Sequence, residues 1–209
     1  MGNSDSRSLN FWTLDEYKQF IQTMEPGTRY YLIFEMLFWT GCRIGELLAI
    51  TKADINFEKN QLSINKTYYR TGMQDIITEP KTKQSFRTIE IPEFLKEEIK
   101  EFVDGHYGMP DTERLFPVVQ EAVQHKMKRQ IELAGVKKIR VHDLRHSHVA
   151  YLIEKGVEPL LIRDRLGHKD IRITLNTYGH LYPNQQRKIA NLLDNENAVT
   201  GLGEERDEC

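Results

Sequence analysis

Cysteine is scarce in this chain of 209 residues, which contains only Cys42 and Cys209. Two cysteines so far apart cannot staple a small scaffold, and alone they cannot provide the four ligands of a structural zinc site. Long apolar runs are absent too, because the longest, over residues 30–39, contains Glu35 and is too short to cross a bilayer. The N-terminal residues are polar and lack the apolar core of a secretory signal. These absences predict a cytoplasmic protein that does not enter a membrane.

The composition shows no strong bias. Hydrophobic residues make up 39% of the chain and charged residues 29%, with 13 glycines and 7 prolines. These values exclude a collagen-like or wholly disordered chain. The length suits one compact domain with its own core and is short for two.

The net charge of −2 argues by itself against a nucleic-acid partner. The charges are unevenly distributed, however. Residues 125–190, here called the basic block, carry 14 Lys and Arg against 6 Asp and Glu, together with six of the seven histidines. Residues 191–209 carry one Arg against six acidic residues. A basic block beside an acidic tail indicates a polyanion partner, although a solvated basic face would give the same pattern.

Helical periodicity dominates the chain and predicts a mainly α fold with a small antiparallel β-sheet, of the α+β class. Thr13 and Glu16 fit a capping box at the start of the first helix. Gly41 would end the second helix, and a third begins near Arg43. Alternating polar and apolar residues within 61–91 predict the sheet. The second helix is predicted over residues 28–40, and further helices over residues 92–103, 121–134, 143–155, 158–166, 171–178 and 184–193.

Arg43 stands at the start of a predicted helix whose other positions are mostly apolar. Burying part of a guanidinium is costly unless the charge is paired. Glu46, three residues later on the same helical face, can hold the arginine in one rotamer. This pattern fits a functional arginine and a plain structural ion pair equally well.

The basic block contains a second group of candidate residues. His142 and Arg145 are one helical turn apart, so both side chains can point to one site. His168 follows a predicted helix end at Gly167, and Tyr178 comes ten residues later. A lone histidine or tyrosine near a helix end is more often a packing residue. Two arginines, two histidines and a tyrosine together favour a catalytic site.

A metal site is the alternative interpretation of the histidines, since His142 and His146 have the i, i+4 spacing of a zinc-binding helix. The zinc-protease motif needs a glutamate directly after the first histidine, where this chain has Asp143. No cysteine pair lies nearby. We therefore expect no metal ion and no cofactor.

Taken in order, the motifs resemble those of one family. They are the segment Gly-Cys-Arg-Ile-Gly-Glu-Leu around Arg43, a lysine in the predicted hairpin, His-Asp-Leu-Arg-His from position 142, Leu-Gly-His ending at position 168, and Tyr178. Over about residues 13–189 the chain is similar to the catalytic domain of tyrosine recombinases of the phage and conjugative-transposon integrase type. The resemblance implies a nucleophile at Tyr178 and an active-site set of Arg43, Lys81, His142, Arg145 and His168. Lys81 matches the lysine-threonine pattern of the family, and Lys83 is its near neighbour.

The resemblance also implies a reaction. Such enzymes cut one DNA strand through a 3′-phosphotyrosine and rejoin it to a partner strand, without a nucleotide cofactor. Two arginines and His168 would stabilise the charge on the phosphate. His142 would be the general base and Lys81 the general acid.

The resemblance further implies a domain organisation and partners. Residues 1–12 would be a linker or cloning remnant, residues 13–193 the catalytic domain of a longer protein, and residues 194–209 an acidic, disordered tail. The partner would be double-stranded DNA, bound by a homotetramer of the full-length protein, with the isolated domain a monomer.

Two other functions remain open at this point. A DNA-binding regulator with a helix-turn-helix would explain the basic, helical second half of the chain, but it has no need of Tyr178, His142 and two arginines that the sequence predicts to be partly buried. A type IB topoisomerase has a similar active site but is usually built around a larger clamp. Covalent trapping on DNA separates an enzyme from a regulator, and strand exchange separates a recombinase from a topoisomerase.

Overall fold

The computed structural model describes residues 10–79, 85–106, 108–181 and 185–199, which contain nine α-helices and five β-strands. The helices are α1 (Leu14–Ile21), α2 (Arg29–Thr40), α3 (Ile44–Leu47), α4 (Glu93–Asp104), α5 (Gln120–Ala134), α6 (Asp143–Glu154), α7 (Pro159–Leu166), α8 (Ile171–Tyr178) and α9 (Gln185–Val199). The strands are β1 (Ile55–Asn56), β2 (Gln61–Ile64), β3 (Thr67–Thr71), β4 (Gln74–Thr78) and β5 (Arg87–Glu90). The prediction of a mainly helical α+β fold is confirmed.

Local signals place the first two helices where the sequence predicts them. The Thr13 hydroxyl accepts a hydrogen bond from the Glu16 amide at 3.2 Å, and the Glu16 carboxylate accepts one from the Thr13 amide at 2.8 Å. This is the predicted capping box. Helix α2 ends at Gly41, whose φ of 67° lies in the left-handed region that glycine tolerates. A Cβ atom at Gly41 would lie 2.5 Å from Cδ2 of His148, so α6 packs directly against the end of α2.

Helix α3 is a single turn and ends sooner than the apolar run that follows it suggests. The carbonyl of Leu48 accepts a hydrogen bond from Nη1 of Arg114 at 3.2 Å, and the carbonyl of Ile50 accepts one from the amide of Leu115 at 2.9 Å. These carbonyls are bound to a distant segment and are not available to prolong the helix. Leu48 and Ile50 are buried all the same.

The predicted sheet is present but divided in two. Strands β1, β2 and β5 form an antiparallel sheet in that order, with Leu62 of β2 opposite Ile89 of β5 in the core. Strands β3 and β4 pair separately as a hairpin. The division occurs at Asn65 and Lys66, whose side chains both bind Asp54 and so turn the chain out of the first sheet.

Several residues singled out from the sequence fall on segments that the structure does not describe. The segment 80–84 contains Lys81 and Lys83, so neither lysine has a described position. Residues 1–9 of the expected linker and residues 200–209 of the expected tail also lie outside the described residues.

Helix α6 joins two buried clusters of side chains. Its Leu144 belongs to the main core, which also contains residues of α1, α2, α4, α5, β2 and β5. A smaller cluster gathers side chains of α6, α7 and α8, namely Val149, Ile153, Ile162, Leu166 and Tyr178. Because His142 directly precedes α6 and Arg145 lies in its first turn, the predicted site sits where the two clusters meet.

Helix α9 continues to Val199, beyond the predicted end at residue 193. The first residues assigned from the sequence to a disordered tail are therefore helical. Ile189, Leu192 and Leu193 of this helix are exposed. No helix in the described part of the chain is long and apolar enough to cross a membrane.

Candidate active site

Arg145 is the most deeply buried of the predicted site residues that carry a charge, with 4% of its surface exposed. Its Nη1 donates to the carbonyl of Gly41 at 2.6 Å and its Nη2 donates to the carbonyl of Leu166 at 2.8 Å. The guanidinium is thus fixed between the last residues of α2 and α7, and these two bonds offset part of the cost of burial. Burial, with the nearby charge of Arg43, lowers its pKa to about 10, so the side chain stays protonated at neutral pH.

The Arg43 side chain is bound to Glu46 on one side and exposed to solvent on the other. Its Nη1 donates to Oε1 of Glu46 at 2.8 Å, and its backbone amide donates to Oε2 of the same carboxylate at 2.8 Å. Its side chain remains 42% exposed. The predicted pairing of Arg43 with Glu46 is therefore present, and it leaves the outer part of the guanidinium available to a ligand.

Arg87 of β5 is an additional member of this cluster that the sequence analysis did not identify. Its Nη2 donates to Oε2 of Glu46 at 2.8 Å, and its Nε donates to the carbonyl of Arg165 at 2.8 Å. A signal was present, because Arg87 alternates with Ile89 on the inward face of a predicted strand. Burial opposes the ionisation of Glu46, but the bonds and charges of Arg87 and Arg43 outweigh it and lower the pKa of Glu46 to about 2.

Arg165 binds the end of α7 to neighbouring helices. The sequence analysis did not identify this residue either. Its Nε donates to Nε2 of the buried His148 at 3.1 Å, and its Nη2 donates to the carbonyl of Trp39 at 3.0 Å. Burial and the charge of Arg165 lower the pKa of His148 to about 3, so this histidine is neutral and can accept that bond. These contacts tie α7 to α2 and α6, and they steady the two carbonyls, of residues 165 and 166, that bind Arg87 and Arg145.

His168 lies at the turn that follows α7. Gly167 adopts a φ of 66°, and the His168 amide donates back to the carbonyl of Arg163 at 3.1 Å, which closes the helix end. Nδ1 of the His168 ring is 2.9 Å from the hydroxyl oxygen of Thr174. Burial, followed by the charges of Arg145 and other arginines, lowers the pKa of His168 to about 4, so the ring is neutral at pH 7.

Tyr178 ends helix α8 and is buried, with 2% of its surface exposed. Its hydroxyl oxygen is 2.6 Å from Nδ1 of His146. Burial raises the pKa of Tyr178 to about 12, and the charge of Arg145 opposes that rise. The hydroxyl is therefore protonated at neutral pH and needs a base before it can act as a nucleophile.

His146, and not His142, contacts the tyrosine in this structure. The rings of His142 and His146 are 5.4 Å apart between centroids and nearly perpendicular. Partial desolvation, followed by the charge of Arg145 for His142 and by the charge of His142 for His146, lowers both pKa values. The sequence analysis considered His146 only as a metal ligand, although its spacing from His142 and Arg145 places all three on one helical face.

The described residues thus bring Arg43, Arg145, His168 and Tyr178 into one region, with His142 at its edge. Among the residues with described positions, no group of three or more His, Cys, Asp or Glu side chains is arranged to hold a metal ion. What this region does offer is a set of cationic and neutral N–H donors around a tyrosine hydroxyl that has a base in contact. Such a set suits an anion with developing negative charge, such as a phosphodiester under attack.

Comparison with known proteins finds relatives over most of the chain. The sequence model described as the phage integrase family matches residues 10–185. The ICEBs1 integrase of Bacillus subtilis is 32% identical over 202 residues, covering 90% of this chain and 55% of the relative. A XerC-like tyrosine recombinase of Caldanaerobacter subterraneus is 30% identical over 206 residues, covering 86% and 53%. The chain spans about half the length of the curated relatives it matches.

Solved structures show the same fold. The Tn1549 transposon integrase, in complex with a circular intermediate DNA, superposes with a TM-score of 0.77 at 20% identity and covers 91% of this chain and 68% of its own. The XerA recombinase superposes with a TM-score of 0.66 at 23% identity, covering 88% and 64%. The catalytic domain of bacteriophage HP1 integrase gives 0.61 at 18% identity, covering 88% and 94%.

Proposed function

This chain belongs to the phage integrase family, and we propose that it is the catalytic domain of a site-specific DNA recombinase, spanning about residues 13–193. The observation that carries the proposal is the Tyr178 hydroxyl in contact with His146, in the same region as Arg145 and His168. The domain would cut and rejoin DNA strands and so integrate or excise a mobile element. Its relatives include proteins named as integrases and as tyrosine recombinases.

In the proposed reaction the Tyr178 oxygen forms a bond to the phosphorus of a DNA phosphodiester. The bond between that phosphorus and the 5′ oxygen breaks, which leaves a 3′-phosphotyrosine and a free 5′-hydroxyl. Arg43 and Arg145 have the planar donor forks that fit the non-bridging oxygens, and His168 adds a further donor. Because the phosphotyrosine conserves the energy of the phosphodiester, the reverse step on a partner strand needs no cofactor.

The tyrosine proton must pass to a base. The sequence assigns that role to His142, and the geometry supports His146 as the first acceptor because its Nδ1 already contacts the hydroxyl. His142, with its ring next to that of His146, would be the following group in a proton path. The lowered pKa values keep both rings mainly neutral at pH 7, the form that can accept a proton.

The proposed partner is double-stranded DNA. The basic block contributes phosphate-binding charge, which makes binding depend strongly on salt. The exposed residues Ile189, Leu192 and Leu193 of α9 are suited to pack on a neighbouring subunit, which supports the proposal of a homotetramer of the full-length protein on DNA. The chain alone is proposed to be a monomer. Light scattering with and without DNA distinguishes these states.

We expect this chain to form a covalent adduct on a library of nicked duplexes of random sequence in the presence of EDTA. The positive charge comes from arginine and histidine side chains, so a chelator should leave the reaction intact. A denaturing gel detects the adduct, and mass spectrometry of the tryptic peptides locates the attached nucleotide.

Each alternative function gives a different result in that experiment. A DNA-binding regulator binds the duplexes but forms no adduct. A topoisomerase-like enzyme forms the adduct but does not exchange strands when a second duplex is supplied. Cleavage that disappears with EDTA and returns with magnesium or zinc would contradict the proposed mechanism.

Lys81 is proposed to protonate the leaving 5′ oxygen, with Lys83 as its competitor. Replacing that oxygen with sulphur gives a leaving thiolate, which is stable without a proton because thiols have a pKa of about 8.5. We therefore expect Lys81→Ala to cleave ordinary DNA slowly and sulphur-bridged DNA at close to the wild-type rate. Arg43→Ala is the control and should be slow on both substrates, since it stabilises charge. If Lys83→Ala is the variant rescued by sulphur, the two roles are exchanged.

A further inference from the structure

The hydrogen bond between His168 and Thr174 joins a phosphate-binding group to the helix that carries the nucleophile. Thr174 is fully buried and lies on α8, one turn before Tyr178. Its hydroxyl oxygen is 2.9 Å from Nδ1 of His168. Thr174 is one of the few polar side chains buried completely in the described residues. The direction of its hydrogen bond therefore decides which ring nitrogen of His168 carries the proton.

That direction follows from the available acceptors. Within the described residues, the Thr174 hydroxyl makes no hydrogen bond other than the one to Nδ1 of His168. A buried hydroxyl proton without an acceptor costs about 1–3 kcal/mol, so the proton is directed to Nδ1. Nδ1 is then the acceptor, and in a neutral imidazole the remaining proton sits on Nε2.

The surroundings of His168 keep the ring neutral. Its burial and the positive charges of Arg145, Arg43 and Arg87 all disfavour a second proton. A neutral histidine can assist an anionic oxygen only through the nitrogen that carries its proton. With the proton on Nε2, the free edge of the ring is a donor, and with the proton on Nδ1 it would present a lone pair to the phosphate.

We propose that Thr174 is a positioning residue that holds His168 in the tautomer protonated at Nε2, so that the neutral ring donates to a phosphate oxygen of the substrate. This inference rests on the proposed function, because it takes the phosphodiester as the ligand. In this role the Thr174 hydroxyl makes no bond to the substrate. It acts through His168 alone.

Thr174→Val tests the inference with little change of shape, because valine keeps the branched side chain and loses the hydroxyl. We expect adduct formation on the nicked duplex library to fall about 10- to 100-fold, the range known for loss of a partner that orients a metal-binding histidine. Thr174→Ser retains a hydroxyl and should stay close to the wild-type rate. Thr177→Val makes the same chemical change three residues along the same helix and should also leave the rate unchanged.

A second arm separates positioning from packing. His168→Phe removes the donor, and adding Thr174→Val to that variant should cause no further loss of rate, because Thr174 has no ligand left to orient. If Thr174 contributed only to packing, its loss would multiply with that of His168. Rate losses that multiply in this double-mutant cycle, so that the activation free energies add, would overturn the proposal.

Nitrogen NMR of the histidine-labelled chain without DNA observes the tautomer directly. The wild-type His168 should carry its proton on Nε2, Thr174→Ser should keep that pattern, and Thr174→Val should give a mixture of tautomers. A wild-type ring protonated at Nδ1, or wild-type cleavage by Thr174→Val, would overturn the inference. Failure of the wild-type chain to form any adduct refutes the proposed function instead, and the NMR pattern then decides alone whether Thr174 sets the tautomer.

Discussion

Replacing Tyr178 with phenylalanine is expected to abolish covalent attachment to DNA completely, because the variant has no oxygen to bond to phosphorus. The ring itself is buried in the cluster of α6, α7 and α8 side chains, and phenylalanine keeps that packing. The variant loses one hydrogen bond, to His146, which contributes about 1 kcal/mol to stability. It should therefore fold and bind DNA while forming no adduct on nicked duplexes.

Tyr182→Phe is the matched control, since Tyr182 is the next tyrosine along the chain and the competing nucleophile. Its adduct should persist at the wild-type level. The assignment of the nucleophile is wrong if the Tyr178→Phe protein still becomes attached to DNA, or if attachment is lost in the Tyr182→Phe protein.

Replacing Arg145 with lysine is expected to slow cleavage by about 10²–10³-fold, the usual cost of removing a donor to developing oxyanion charge. Two nitrogens of Arg145 bind the carbonyls of Gly41 and Leu166, and this rigid arrangement aims the guanidinium. A lysine ammonium keeps the charge but has no planar fork, so it cannot bind both carbonyls and a phosphate in the same geometry. A buried carbonyl left unpaired costs a further 1–3 kcal/mol or so of stability.

Arg140→Lys is the control for this substitution. Arg140 lies close by in the basic block, is paired with Asp143 at 2.8 Å and has a side chain that is 79% exposed. The Asp143 carboxylate is buried, with 2% of its side chain exposed, and lysine keeps a positive charge beside it, so the cleavage rate should change by no more than a few-fold. Rates are compared at equal folded fractions, measured by thermal denaturation. A folded Arg145→Lys protein that cleaves as fast as the wild type would refute the role given to Arg145.

The helix boundaries were predictable wherever a local signal sets them. The capping box at Thr13 and the left-handed Gly41 are signals of this kind, because each satisfies backbone groups within a few residues of itself. Three features differ from the prediction: α3, which a hydrogen bond from Arg114 to the Leu48 carbonyl shortens, α9, which continues to Val199, and the sheet, which divides where Asp54 binds Asn65 and Lys66. For α3 and the sheet, side chains from another segment decide where the regular structure ends.

The sequence by itself determined the fold class, the order of the motifs and the residue types at the site, including Arg43, Arg145, His168 and Tyr178. The pattern around each residue left a structural interpretation open, and the ordered set of motifs selected these residues as candidates. His146 differs, because spacing alone could not separate it from His142.

Only the tertiary structure decided which side chains touch. Tyr178 meets His146 across 32 residues, and Arg87 meets Glu46 across 41. Periodicity shows which face of a helix or strand turns inward, but it does not show which turn of one helix meets the next. The packing of α7 against α6, α8 and β5 sets which turns meet, and it places single atoms of distant residues within hydrogen-bond distance.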